Sequence, residues 1–228
     1  MKLPFTTEQF LEVFRKYNTT FFPLQLLFLL LAGYIIFLAV KGKRNSGKSI
    51  TIIIACLWLW MGAAYHLAFF TAINKAAYLF GVLFIVQGIL LLVYGFSTSP
   101  SFSFGKKTSG VTSVIIAVLL IYALILYPLL GYLTGHGYPY APTFGLPCPT
   151  TIFTLAMLLL AQNRWPLYMV VIPLLWSVIG FSAAFTLGIY EDTGLVVSAL
   201  VFAILNFSKP KSNNTIHLQW NKLYTEQR

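Results

Sequence analysis

The sequence predicts an all-α integral membrane protein, a bundle of seven membrane-crossing helices preceded by a helix that lies along the bilayer surface. Three observations support this prediction. Of the 228 residues, 58% are hydrophobic and only 9% are charged, whereas soluble domains carry roughly a quarter charged residues. Long apolar runs alternate with short polar connections, and the basic residues concentrate in every second connection. The two cysteines, Cys56 and Cys148, lie in unrelated segments, so a disulfide framework is not expected.

Residues 6–17 have the pattern of a short amphipathic helix. Its apolar side chains follow the spacing i, i+3, i+4, i+7, at Phe10, Val13, Phe14 and Tyr17. Thr6 followed by Gln9 has the form of a capping box, which marks a helix start. We predict that this helix lies in the membrane interface, with its charged side toward water.

Seven apolar runs follow, at residues 22–40, 50–72, 77–95, 111–131, 150–161, 166–188 and 194–207. The first four and the sixth approach or exceed the roughly 20 residues that span a bilayer. The fifth and the seventh are short and need an extra turn or a locally thin bilayer. We predict seven spans, or six if the fifth run is re-entrant. Residues 1–207 then form a single membrane-embedded domain, and residues 208–228 form a basic cytoplasmic tail.

The basic residues predict the orientation of the chain in the membrane. With seven spans, eleven of the fifteen Lys and Arg residues fall on one side, in the connections 41–49, 96–110 and 162–165 and in the tail. The other side holds four of the five acidic residues. Since cytoplasmic loops carry the excess of Lys and Arg, the N-terminus is predicted outside and the C-terminus inside a cell's cytoplasmic membrane. Six spans would destroy this segregation.

The connection between the fourth and fifth runs, residues 135–151 (GHGYPYAPTFGLPCPTT), concentrates residues that disfavour regular structure. It contains four prolines and three glycines, which predict irregular backbone. At its end we place Cys148 at the N-cap of the next helix and Pro149 at the first helical position. A thiol at a helix N-terminus is favoured as thiolate. Cys148 is therefore the best candidate for chemistry, on the predicted outer face.

Two histidines and one asparagine complete the candidate pocket. His66 lies in the second span, where we expect a neutral ring that is hydrogen-bonded inside the bundle or that serves a ligand or a proton. Asn74 lies two turns further along, and His136 lies in the Gly-rich and Pro-rich connection. His136 and Cys148 are weak candidates for a soft metal ion such as zinc or copper, because their spacing fits no structural zinc motif. No cofactor is expected.

Other motifs point away from common activities. Residues Gly42–Ser49, GKRNSGKS, match the phosphate-loop pattern, but a membrane span on each side replaces the strand and helix that such a loop needs, so nucleotide binding is not expected. Nucleic-acid binding is not expected either, because the basic residues do not form one patch. The acidic residues on the outer side are interpreted as solvated helix ends and turns: Glu8, Glu12, Glu191 and Asp192.

Three segments together carry a resemblance: LPFTTEQF with Tyr17-Asn18 after it, GAAYHLAFFTAIN, and PTFGLPCPTT. They resemble a family of small, uncharacterised multi-pass membrane proteins from prokaryotes. The resemblance extends to about Phe207 and leaves out the basic tail. It implies a bacterial-type cytoplasmic membrane protein and carries no activity onto these residues.

The sequence supports three hypotheses on function. The preferred one is binding or passage of a small solute at an outward-facing polar pocket. The second span and the connection after the fourth span would form this pocket, lined by His66, Asn74, His136 and Cys148. The second hypothesis is a membrane-embedded enzyme with Cys148 as nucleophile and a histidine as its base. The third is a scaffold or partner protein without a site.

Overall fold

The structure of the chain, a computed structural model, describes residues 4–42, 46–98, 100–104 and 110–209. Within these ranges it is all-helical and has no β-strand, as predicted. The α-helices are α1 (Thr7–Phe21), α2 (Leu24–Lys41), α3 (Ser46–Trp60), α4 (Ala77–Thr98), α5 (Gly110–Ile121), α6 (Tyr127–Leu133), α7 (Pro147–Leu159), α8 (Val171–Leu187) and α9 (Thr193–Phe207). Two π-helical segments, Met61–Leu67 and Tyr122–Leu126, and three 3-10 turns, Phe70–Ala72, Leu167–Met169 and Tyr190–Asp192, extend or join them.

Five helical segments of the described chain are long and apolar enough to cross a membrane, which indicates a membrane protein. They are Leu24–Lys41, Ser46–Ala72, Ala77–Thr98, Gly110–Leu133 and Tyr190–Phe207. The helices α7 and α8 are apolar but shorter, with 13 and 17 residues. The sixth helix is therefore shorter than its apolar run, whereas the seventh has the extra turn that was expected of it. The helix α8 begins only at Val171, after the chain leaves Pro166 in an extended conformation, whereas the last segment gains a turn from Tyr190.

The helix α7 is the centre of the bundle. All 13 of its residues are buried, and it packs against α5, α8 and α9. Two of its threonines are hydrogen-bonded: the Thr154 hydroxyl donates to the Thr150 carbonyl at 2.7 Å and accepts the Trp58 indole N–H at 3.1 Å, and the Thr150 hydroxyl accepts the Gly145 N–H at 2.9 Å. The Thr151 hydroxyl, which is also buried, has no hydrogen-bond partner. Since 13 residues of helix are only about 20 Å long, α7 is shorter than the bilayer core. Its neighbours rather than lipid surround it, so the membrane does not dictate its length.

The helix α3, together with the π-helical segment that follows it, packs against α4 through glycine. A Cβ atom on Gly62 would lie 2.8 Å from the Gly81 carbonyl oxygen, and one on Gly88 would lie 3.0 Å from the Ala55 carbonyl oxygen. Only a hydrogen side chain permits this approach of two backbones, which is the usual way that membrane helices gain contact. The pair gives the π-helical segment Met61–Leu67 a firm support.

The N-terminal helix α1 has the predicted capping box. The Thr6 N–H donates to Gln9 Oε1 at 2.9 Å, and the Gln9 N–H donates to Thr6 Oγ1 at 3.3 Å. The helix continues to Phe21, beyond the predicted end at residue 17. Its predicted apolar face is buried and packs near Tyr65 and Leu146, so α1 covers one end of the bundle. Its place at the membrane interface stays a prediction.

Two sequence features fall partly outside the described residues. Of the phosphate-loop match at Gly42–Ser49, residues 43–45 lie outside. Gly42 ends α2 in the left-handed conformation and Ser46 begins α3, so helices flank the motif where a phosphate loop has a strand before it. Of the predicted tail, only Ser208 and Lys209 are described.

Candidate binding site

A cavity of about 130 Å³ lies where α1, the segment Met61–Leu67, α8 and the start of α7 meet. Seven aromatic rings form much of its wall: Phe5, Phe10, Phe14, Tyr65, Phe70, Phe80 and Trp176. Four further polar side chains line it, those of Asn74, Cys148, Ser182 and Asp192. Ile179 and Ser182 line the cavity and are also exposed at the protein surface, so the cavity opens along the side of α8. The structure thus brings two predicted residues, Asn74 and Cys148, to one cavity.

At the polar end, Cys148 and Asp192 line the cavity, and Tyr127 lies behind them and contacts Asp192. The Tyr127 hydroxyl donates to Asp192 Oδ1, and the Cys148 thiol is close enough to interact with both groups. Asp192 is 2% exposed and Tyr127 is fully buried. The expectation that Glu191 and Asp192 are solvated is therefore wrong. The turn Tyr190–Asp192 packs against α6 and α8, which carries both carboxyl groups into the bundle.

Cys148 is the second residue of α7 and not its N-cap, which is a correction to the sequence prediction. Leu146 is the N-cap, and Pro147 and Pro149 occupy the first and third helical positions. A helix start leaves four amides unpaired, and these two prolines remove two of them. Either proline suits a first helical turn, so the local pattern did not distinguish the two placements.

Both π-helical segments adjoin the site. Tyr65 and His66 lie in Met61–Leu67, and Tyr122–Leu126 directly precedes Tyr127. A π turn inserts a residue and shifts the side chains that follow it around the helix axis, and such turns are frequent at functional sites. Here the first turn directs Tyr65 into the cavity wall, and the second precedes the tyrosine that bonds Asp192.

His66 lies one layer behind the cavity, in what we call the aromatic layer: His66, Phe80, Phe84 and Trp176. Its ring centroid is 4.5 Å from that of Phe84 and 5.0 Å from that of Trp176. Phe80 and Trp176 also line the cavity and belong to both groups. Of the two alternatives for His66, the ring hydrogen-bonded inside the bundle is not observed: neither ring nitrogen of this fully buried side chain has a partner, and the Trp176 N–H also lacks one. Its role toward a ligand or a proton stays a prediction.

His136 lies apart from the cavity, with Glu191. Its Nδ1 is 3.5 Å from Thr134 Oγ1. Its carbonyl oxygen and the Glu191 carboxyl group lie on the same side of Gly131, where a Cβ atom would be 3.4 Å from the carbonyl oxygen and 3.1 Å from Glu191 Oε1. Glu191 is 1% exposed, and neither of its carboxyl oxygens has a hydrogen-bond partner. The structure therefore does not bring His136 to the residues that line the cavity.

The helix α1 holds the connection before α7 against the bundle through Asn18. The Asn18 side chain binds three groups of this connection: the carbonyls of Pro139 (2.7 Å) and Ala141 (2.8 Å), and the hydroxyl of Thr143 (2.7 Å). Next to it, the Tyr17 hydroxyl accepts the Trp60 N–H at 2.6 Å. Burial raises the pKa of the Tyr17 phenol above its ordinary value, so the phenol is neutral. These contacts position the cavity wall.

The neighbours of Cys148 limit its chemistry. A cysteine nucleophile needs a base within hydrogen-bonding reach. Both nitrogens of His66 lack any hydrogen-bond partner, and the groups beside the Cys148 sulfur are a carboxyl group and a phenol. Among the described residues, no group of three or more His, Cys, Asp or Glu side chains is placed to hold a metal ion. The arrangement suits hydrogen bonding to a bound molecule better than nucleophilic attack.

Sequence reasoning missed Asp192, Tyr127 and Trp176. For Asp192 a signal was present: the acidic pair Glu191-Asp192 directly precedes the last apolar run. An ionisable residue inside a membrane segment is a functional hypothesis by default, and Asp192 lies within the segment Tyr190–Phe207. The pair was interpreted as a solvated turn because a turn was needed between two spans. Nothing in the local pattern distinguishes Tyr127 or Trp176 from the other aromatic residues.

A comparison with known families gives one match. The chain matches the family of unknown function DUF6064 over residues 7–217. The match continues past Phe207, so the predicted limit of the resemblance is wrong, whereas its uncharacterised nature is confirmed. No curated protein and no solved structure matches the chain. Because the match covers most of its length, the chain belongs to DUF6064, a family of unknown function.

Proposed function

We propose that this protein binds a small, largely apolar solute inside the membrane, in the cavity lined by Asn74 and Cys148. The observation that carries the proposal is the wall of the cavity, which combines seven aromatic rings with four polar side chains that are not aromatic. Ligand sites are concave and mostly apolar, with a few polar groups that orient the ligand. The wall therefore supports recognition by shape together with a polar contact at one end.

The size of the cavity limits the solute. An apolar cavity of roughly 150 Å³ in another protein holds one benzene molecule. The cavity here, at about 130 Å³, is slightly smaller, but it opens along α8. It supports a compact ring or a short chain rather than a whole lipid.

The surroundings favour binding over passage. Beyond the polar end lies α7, whose residues are all buried among neighbouring helices. After Thr154, α7 continues with apolar residues only, as far as Leu159. A path through a membrane bundle is usually lined by polar or ionisable groups, so α7 supports a closed end to the cavity.

We also propose that α7 and α8 complete seven spans and that the cavity faces outward. The distribution of basic residues supports this orientation. Arg164 follows the C-terminal end of α7, whereas the cavity adjoins its N-terminal end.

The orientation is tested at Lys75, which is exposed in the turn between α3 and α4. A Lys75→Cys variant, in a background with Cys56→Ser and Cys148→Ala, is treated with a membrane-impermeant thiol reagent. We expect labelling in intact cells. Labelling only after permeabilisation would overturn the proposed orientation.

Binding is tested with ethylbenzene and the purified protein in lipid nanodiscs, by calorimetry. Ser182 is exposed and lines the cavity, so Ser182→Phe places a ring at the opening. We expect this variant to lower ethylbenzene affinity by about tenfold or more. Thr186→Phe is the matched control: it adds the same ring to α8 one turn further on, at an exposed position away from the cavity lining. Equal affinity in the two variants would contradict binding in the cavity.

The two other hypotheses predict different outcomes. A scaffold without a site predicts that ethylbenzene uptake equals that of empty nanodiscs. An enzyme with a Cys148 nucleophile predicts that Cys148→Ala removes its activity while the protein remains folded.

A further inference from the structure

The cavity combines an aromatic wall with one buried carboxyl group, and this combination points to a class of ligand. Resting on the proposed solute binding, we propose that the solute is a small organic amine, with its nitrogen at Asp192 and its apolar part against the aromatic rings.

The charge of the cavity wall supports an amine. Asp192 is the only Asp or Glu that lines the cavity, and no Lys, Arg or His of the described residues lines it. An anionic ligand would meet a carboxyl group without a compensating cation, and a neutral apolar ligand would make no hydrogen bond with the polar end. A protonated amine supplies the opposite charge and the N–H donors that a buried carboxylate needs.

The aromatic rings support the same class. Ring faces carry negative electrostatic potential and attract a cation within about 6 Å. Phe10, Phe14, Tyr65 and Phe70 form a connected set in the cavity wall, with centroid separations of 4.6 Å (Phe10–Phe14), 6.0 Å (Phe14–Tyr65) and 5.6 Å (Tyr65–Phe70). Rings that are already packed against one another lose little conformational entropy when a ligand binds.

The polar end is preorganised for one donor. Tyr127 donates to Asp192 Oδ1, which fixes the orientation of the carboxyl group. A carboxylate has about four acceptor positions, so acceptor capacity is left for the ligand. The amine and Asp192 together hold one proton, either as ammonium and carboxylate or as amine and carboxylic acid. Both forms are neutral as a pair, which the apolar surroundings require.

The test uses four probes of similar size: benzylamine, benzyl alcohol, ethylbenzene and benzoate. Each is titrated into the unmodified protein in nanodiscs of neutral lipid, with Ser182→Phe as the blank for partition into lipid. We expect benzylamine to bind about tenfold or more tightly than benzyl alcohol and ethylbenzene, and benzoate to bind most weakly. If benzylamine binds no better than ethylbenzene, the amine assignment is overturned while solute binding stands. If no probe binds better than in the blank, the proposed function itself fails.

Two variants locate the charge. Asp192→Asn keeps the shape of the side chain, and we expect it to lower benzylamine affinity by about tenfold while ethylbenzene affinity changes less than about twofold. Glu191→Gln is the matched control, because Glu191 is equally buried and adjacent but does not line the cavity. We expect it to leave both affinities within about twofold. Benzylamine binding that survives Asp192→Asn, or that Glu191→Gln abolishes equally, would overturn the assignment. If Asp192→Asn does not fold, the probe series on the unmodified protein decides.

Discussion

The two ends of the central helix α7 are built differently. At its C-terminal end, side chains donate to its last carbonyl groups: the Trp165 indole donates to Leu158 at 2.8 Å, and the Lys209 ammonium donates to Leu159 and, two residues past the helix, to Ala161, both at 2.7 Å. At its N-terminal end, two prolines reduce the number of unpaired amides and the helix borders the cavity. One end is closed by hydrogen bonds, and the other has space beside a thiol and a carboxyl group.

This difference separates polar groups that stabilise the fold from polar groups that, under the proposed function, bind a ligand. A hydrogen bond that closes a helix end stabilises the fold and leaves nothing to bind. Polar groups beside a cavity retain capacity for a partner. In the aromatic layer next to the cavity, the two His66 ring nitrogens have no hydrogen-bond partner at all. We therefore expect stability to depend most on the closed end, and solute affinity to depend on the open one.

The largest expected effect is at the closed end. Asn206 is fully buried. Its side-chain oxygen accepts the Trp165 backbone N–H at 2.9 Å, and its side-chain NH2 donates to the Trp165 backbone carbonyl at 3.2 Å. Asn206→Leu leaves both groups buried without a partner, so we expect it to lower the free energy of unfolding by about 3 kcal/mol. Thermal unfolding in nanodiscs measures it. Ser208→Ala, at the exposed residue that directly follows α9, should cost less than about 0.5 kcal/mol. Equal losses, or weaker benzylamine binding in folded Asn206→Leu, would contradict the comparison.

The next effect is at the open end, where Tyr127→Phe removes the donor to Asp192. We expect a loss of about 2 kcal/mol in unfolding free energy, because a buried carboxyl group loses its hydrogen bond. The control is Tyr122→Phe, whose hydroxyl donates at 2.7 Å to the Glu191 backbone carbonyl in a half-buried position. It should cost about 1 kcal/mol. Only Tyr127→Phe should also weaken benzylamine binding, and an equal effect of both changes on affinity would show that Tyr127 does not orient Asp192.

A smaller effect, of opposite sign, is expected in the aromatic layer. His66→Leu keeps a similar side-chain volume and removes two buried nitrogens without partners, so we expect a gain of about 1 kcal/mol in stability. Phe84→Leu in the same layer removes only ring packing and should cost about 1 kcal/mol. Thermal midpoints of the two variants give the signs. A loss of stability in His66→Leu would mean that His66 has a partner in the folded protein, contrary to the structure.

The smallest effect is expected for Cys148→Ala. The thiol lines the cavity, but it is neither charged opposite to an amine nor the group that Tyr127 orients, so benzylamine affinity should change less than about twofold. Calorimetry in nanodiscs measures it, with Asp192→Asn as the variant that should respond. A loss as large as that of Asp192→Asn would shift the polar contact to the thiol.

The sequence predicted the properties that depend on neighbours along the chain. Composition and apolar runs predicted an all-helical fold with membrane-length segments, and the spacing from Thr6 to Tyr17 predicted the start and the buried face of α1. The turn residues before Cys148 predicted a helix start to within two residues. These properties follow from hydropathy, periodicity and capping, which a local stretch of chain carries by itself.

Only the tertiary structure decided which polar groups meet. Glu191 and Asp192 follow one another in a turn, yet that turn is folded against α6 and α8 and carries both carboxyl groups inward. His66 and His136 both looked like pocket residues, but one is packed behind Trp176 and the other lies with Glu191. Whether a polar side chain near a helix end faces solvent, a cavity or another ring depends on which helices pack beside it. That choice involves residues far apart in the chain, and no local pattern records it.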